Sequence, residues 1–170
     1  MFDGVPWHPV VVHAPLVLGV LAPVIAFILW GAIAGRYLHH RVWWLVVFLY
    51  VVTFASAFLA VRTGQQQEDV VEEVLANHDA LHVHEDRAKR FRLALGGVLA
   101  LTVLTGVLFG NRKWGMRFAV LSVVAGAAAA WLTIGVGHSG GLLVYQEGAA
   151  NAYVTPADLP PDGAEDHEHD

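Results

Sequence analysis

Four stretches of this chain run without a single Asp, Glu, Lys or Arg for long enough to cross a bilayer. They lie between Asp3 and Arg36, Arg41 and Arg62, Arg92 and Arg112, and Arg117 and Glu147. A helix needs roughly 20 apolar residues to cross about 30 Å of hydrocarbon, and a backbone in lipid must satisfy its own hydrogen bonds. A buried core helix is the plainer explanation for any one stretch, but four in succession in 170 residues are poorly explained that way. The expected fold is therefore all-α: an integral-membrane four-helix bundle with spans near 10–34, 42–62, 92–111 and 117–137. Residues 1–150 make the membrane domain, and residues 151–170 an acidic tail too poor in apolar residues to fold.

The spans account for a low charged content, 15% where a soluble domain carries about 25%. A net charge of −5 argues against a nucleic-acid partner. The absence of cysteine excludes disulfides, thiolate zinc sites, iron–sulfur clusters held by this chain and covalent haem attachment. No basic residue precedes Val5 and the first apolar stretch is too long for a signal peptide, so the first helix is expected to stay in the mature protein. Pro9 suits a first helical turn, whereas Pro15 and Pro23 should bend the first span or start it irregularly. Gly31, Gly35, Gly96, Gly97 and Gly126 offer points of close helix approach. Thr53, Ser56, Thr102 and Thr105 should bond their own helix carbonyls.

An even number of spans leaves both termini on one side. The short loops Gly35–Arg41 and Asn111–Arg117 hold five basic residues and no acid; all fifteen Asp and Glu lie on the other side. Lys and Arg are otherwise tied between the sides, so the density in the short loops decides: these loops are assigned to the cytoplasm and the termini to the outside. Trp7, Trp43, Trp44 and Trp114 fall near the expected interfaces.

On the outer side, Gly64 to Arg92 is too polar to span. It reads as a turn at Thr63-Gly64 and then an extended helix leading into the third span, with Val71, Val74, Leu81, Ala88, Phe91 and Leu95 as its inward stripe. His78 and His84 lie about 60° either side of Leu81; His82 lies about 100° away and should meet solvent. Charged neighbours such as Glu85, Asp86 and Arg87 equally suit a plain amphipathic helix.

Histidine is the unusual residue, with ten against ten Lys plus Arg. His8, His13, His78, His82, His84 and His138 gather at the outer face, His39 and His40 lie inside, and His167 and His169 belong to the tail. A single histidine at a span end is ordinarily interfacial; six on one face point to function. His8 and His13, five apart, are about 140° apart round a helix and cannot share one ion from a regular helix. His138 stands in Gly137-His138-Ser139-Gly140-Gly141, where glycines admit a flat ligand or simply loosen the helix exit. Two chemistries suit such a set. Imidazoles from different helices can clamp b-type haem, or histidines with Glu85, Asp86 or Asp79 can hold zinc or copper. Adjacent His39 and His40 cannot readily clamp both faces of a haem.

His8-Pro9-Val10-Val11-Val12-His13-Ala14-Pro15 resembles the HP-x-x-VH-x-P opening of the DUF2231 family of bacterial four-span membrane proteins. Thr63-Gly64 with Glu68, Val70-Val71 and Glu72, then His84-Glu85, then Gly140-Gly141-Leu142-Leu143-Val144-Tyr145-Gln146-Glu147-Gly148 resemble its later landmarks, so the likeness runs from His8 to Gly148. Ala14, where an aromatic is common, and the surplus His78 and His82 depart from it. The resemblance implies four helices in the bacterial inner membrane with the motif face outside the cytoplasm. Occurrence of the family beside Rieske-type or c-type cytochrome domains implies a redox setting.

The chain has no Walker loop, GxGxxG or GxSxG, and no catalytic residue is assigned. The leading expectation is a non-catalytic electron-transfer subunit holding haem b near the outer face. Its axial pair would be His13 and His84, which both stand in family motifs; His8 and His138 follow, with His78 beside them. Partners would be the lipid bilayer, a c-type cytochrome or Rieske protein, and quinone. The alternatives are a histidine-rich zinc or copper protein and a structural anchor for a periplasmic redox partner.

Overall fold

The computed structural model describes residues 7–153. The expected disordered tail, apart from its first three residues, lies outside them. Six α-helices follow in order: α1 (Trp7–Val11), α2 (His13–Ala34), α3 (Trp43–Gln65), α4 (Glu68–Glu72), α5 (His78–Leu108) and α6 (Arg112–Tyr145). Short 3₁₀ turns occupy His40–Val42 and Ala149–Tyr153. There is no strand among the described residues. Four stretches are long and apolar enough to cross a membrane: Trp7–Ala34, His40–Gln65, His78–Leu108 and Arg112–Tyr145. The chain is a multi-pass membrane protein.

Helix α2 packs against α3 and α6, and α5 packs against the same two, so α2 and α5 stand diagonally across a four-helix bundle. The α2–α3 and α5–α6 connections share one end, called here the basic end. Helices α1 and α4 close the other, the histidine end. Outward side chains are as apolar as inward ones: Val17, Phe27, Phe48, Leu93 and Trp131 are all more than half exposed. What distinguishes the interior is size, as expected when lipid rather than water surrounds a bundle. Ala22, Ala26, Ala57, Ala119 and Ala129 line it, and Trp43, Tyr50 and Leu95 fill what they leave.

Polar groups inside the bundle stay local. Thr53, Thr102 and Thr105 donate to carbonyls of their own helices, and Ser56 does likewise. One hydroxyl pair, Thr105 and Ser122 at 2.9 Å, joins α5 to α6. Trp43 is buried rather than interfacial, because its indole N–H reaches the Thr102 carbonyl at 3.0 Å. Trp7, Trp44 and Trp114 remain exposed. Pro15 and Pro23 are both buried in α2, and the irregularity falls just before Pro15, at the Val12 junction between α1 and α2.

Three boundaries differ from the sequence-based expectation. Helix α3 runs through Thr63-Gly64 and turns after Gln65. A second break follows α4, and α5 begins at His78 because the Asn77 side chain accepts the Asp79 N–H at 3.0 Å. Helix α6 continues past His138 to Tyr145, so the glycines there lie inside a helix and not at its exit. A small apolar cluster of Leu75, Leu81, Leu143 and Ala149 ties the α4–α5 connection to the end of α6. Val74, expected inward, is exposed.

Among the expected close-approach glycines, Gly126 carries the load. A Cβ there would strike the Tyr50 hydroxyl and come within 3.1 Å of Pro23 Cβ, whereas at Gly31 or Gly97 it would meet nothing within 4 Å. Gly126→Ala should therefore lower stability by about 1–3 kcal/mol through overpacking. Gly97→Ala should be neutral or slightly stabilising, since alanine is the better helix former. Thermal unfolding in detergent checks the pair; equal melting temperatures would disprove the packing assignment.

Candidate metal centre

The expected ligand histidines separate into two groups at the histidine end. His13, at the start of α2, is exposed, as are His138 on α6 and His78 on α5. His78 sits 3.3 Å from the Glu72 carboxylate in an open surface pair. His8 and His84 alone among the five turn inward and are half-buried. His8 is near enough for its charge to bear on His84, whereas His13 stands exposed at the start of α2. The break at Val12 separates the turn bearing His8, packed on α3, from the helix that carries His13 outward.

Both inward rings have one nitrogen committed. His8 Nδ1 lies 3.0 Å from the Ala60 carbonyl and 3.2 Å from Thr63 Oγ1. A carbonyl only accepts, so Nδ1 carries the proton. His84 Nδ1 lies 3.0 Å from Ser139 Oγ, whose own proton is given to the Val136 carbonyl at 3.0 Å. His84 Nδ1–H is therefore again the donor. Each ring keeps an Nε2 lone pair without a hydrogen-bond partner among the described residues, the tautomer of a metal-ligating imidazole. Each ring also lies on a glycine: a Cβ at Gly64 would sit 3.0 Å from His8 Cε1, and one at Gly140 would sit 3.2 Å from His84 Cε1. The flat group that these glycines admit is thus a histidine of the chain itself.

The donor chemistry of this pair suits haem iron. The two cavities that stand out among the described residues, of about 340 and 210 Å³, are not lined by His8, His13 or His84. Below the pair, Phe91 is buried, and Thr133 and Phe91 both crowd Gly19. Both rings pack on backbone, at Gly64 and Gly140.

A second constellation forms on the water side of α5. His82 and Glu85, three residues apart, share a helix face, and α4 brings Glu68 against it. One ligand atom from each of Glu68, His82 and Glu85 lies within 4.8 Å of the others. The sequence marked His82 as solvent-facing, which it is, and Glu85 as a possible ligand. Glu68 is marked in the sequence only as part of a family motif, because the second break, between α4 and α5, is not apparent in the periodicity. Asp79 and Asp86, the other carboxylates expected near a metal, are exposed and are not in this group.

The carboxylates of this group crowd each other. Partial burial, then the charge of Glu85 and a hydrogen bond with it, push the Glu68 carboxyl above its ordinary range; Lys89 opposes this and Glu72 adds to it. Lys89 Nζ donates to Glu85 Oε2 at 3.0 Å, so an ammonium partly neutralises the pair. A divalent cation at the same place would relieve the repulsion more fully and displace the ammonium.

Compared with protein families, curated proteins and solved structures, the chain matches none.

The raised Glu68 carboxyl has a definite consequence for stability. It holds its proton more tightly folded than unfolded, so its contribution is complete below its ordinary value of 4.5 and is lost as pH rises through the higher folded value. In metal-free buffer, Glu68→Gln should therefore raise the melting temperature above that range and narrow to no effect below it. A Glu68→Gln curve parallel to the parent at all pH values would show that Glu68 is unperturbed.

Proposed function

We propose that this chain is a metal-handling membrane protein that binds a first-row divalent transition ion at its histidine end, through Glu68, His82 and Glu85. The observation that carries this reading is the convergence of three ligand atoms from α4 and α5 within 4.8 Å. One imidazole and two carboxylates without thiolate suit zinc among the common ions, with water free to complete the shell. Three protein ligands at a partly exposed place favour an ion that enters and leaves over one held for structure. Glu85 directly follows His84 in the chain, and half-buried His84 and His8 offer further imidazole nitrogens at the same end.

The motif resemblance and the dense basic charge of the two short loops support a bacterial inner membrane, with the histidine end outside the cytoplasm. A periplasmic supply of metal ion suits that placement. An electron-transfer role with haem b, and with it a cytochrome, Rieske or quinone partner, is the second reading. The free Nε2 atoms of His8 and His84 favour it.

The test is zinc titration of the purified, metal-stripped protein in detergent, followed by calorimetry. One ion per chain should bind. Glu68→Gln and His82→Ala should each weaken binding at least tenfold, and Lys89→Gln should strengthen it by removing a competing cation. Wild-type affinity in both ligand variants would overturn the assignment. A Soret band in protein from haem-replete cells, lost in His84→Ala, would transfer the function to the second reading.

A further inference from the structure

The opposite end of the bundle carries a different chemistry. A cavity of about 340 Å³ opens there between the α2–α3 connection and the start of α6, and Arg36, Tyr37, His39, His40 and Arg112 line it. That is the lower range of small-ligand clefts, roughly 300–1,000 Å³. Neither connection contains an acid, so its cations lack carboxylate partners: Arg36, Arg41, Arg112, Lys113 and Arg117 make no ion pair among the described residues.

The donors around this cavity are held in place. Arg112 Nη2 donates to the Ile33 and Ala34 carbonyls at 3.1 and 3.4 Å, covering the exposed end of α2 with positive charge. Arg36 takes the left-handed backbone conformation, φ 62°, just after the helix end. Its N–H bonds the Ile33 carbonyl at 3.1 Å, which fixes where its side chain begins. The Arg41 N–H donates to His39 Nδ1 at 3.3 Å, so the neutral His39 carries its proton on Nε2 and is a donor there. His40 stacks on Phe109, with ring centres 5.5 Å apart. Every side-chain polar group on the cavity wall can donate a hydrogen bond, and Arg36 and Arg112 are positive.

The level of the cavity identifies its occupant. Trp44 and Trp114 at the same end are each about half exposed, Tyr37 is almost fully exposed, and the Arg117 guanidinium lies 5.2 Å over the Trp114 ring. Exposed aromatic rings beside basic residues mark the headgroup layer. We infer that this cavity is a binding site for the phosphate headgroup of an anionic phospholipid, with Arg36, Arg112 and His39 as its donors. A basic pocket between membrane helices at headgroup depth suits such a lipid. The inference is independent of the metal centre at the far end.

Native mass spectrometry of the delipidated protein in detergent, titrated with phosphatidylglycerol, tests it. One phosphatidylglycerol should be retained per chain, with phosphatidylcholine held at least tenfold more weakly. Arg36→Gln should weaken retention roughly fivefold, the worth of one interfacial cation. His39→Ala, which also frees the Arg41 N–H, should weaken it less but measurably. Arg90→Gln, at the histidine end, should leave it unchanged. Equal retention in Arg36→Gln and His39→Ala, or equal retention of phosphatidylcholine, would overturn the proposal. Displacement of the lipid by millimolar inorganic phosphate would overturn it in favour of a free-phosphate site.

Discussion

A peptide group inside hydrocarbon has no water to bond, so every N–H and C=O along a span must find a partner in its own helix. That constraint shapes the rest of this molecule. It makes the four long stretches helical and keeps Thr53, Ser56, Thr102 and Thr105 turned toward carbonyls of their own helices. It also removes the usual means of holding helices together, since lipid is as apolar as leucine. Close packing replaces it, and contacts such as Tyr50 and Pro23 against Gly126 set how near the helices come.

Charge excluded from the spans collects at the two ends, and the ends diverge. At the histidine end, α4 and the first turns of α5 project beyond the apolar core, carrying most of the acids of the described residues and three of their histidines, His78, His82 and His84. That end has ligands without enough positive charge to quiet them. At the basic end, short connections carry cations and no acid. One end is suited to a cation and the other to an anion, and the buried, nearly charge-free bundle between them gives neither a polar route to the other.

The fold was legible because charge-free length is a coarse signal that survives local error. The four spans and the self-bonding hydroxyls followed directly from residue type. The site was less legible, for identifiable reasons. Helical angles placed His82 and Glu85 on the solvent side of α5 correctly, but nothing in the periodicity showed that a turn after Gln65 would fold Glu68 onto them. His13 is preferred to His8 for its place in a family motif, but that motif holds both; with the irregularity at Val12, just ahead of Pro15, His8 is half-buried and His13 exposed. Gly140 was read as room for a ligand, and the ring it admits comes from His84. Trp43 was assigned to the interface by residue type, where its bond to the Thr102 carbonyl holds it in the core.

The proposed metal ion would sit among one imidazole and two carboxylates at the histidine end. Zinc-edge X-ray absorption on the protein loaded with one equivalent of zinc reads that shell directly. The predicted spectrum has only nitrogen and oxygen neighbours at about 2.0–2.2 Å, with outer-shell scattering from one imidazole that disappears in His82→Ala. A shell containing two imidazoles that persists in His82→Ala and is lost in His84→Ala would contradict the account and move the metal to the His8–His84 pair.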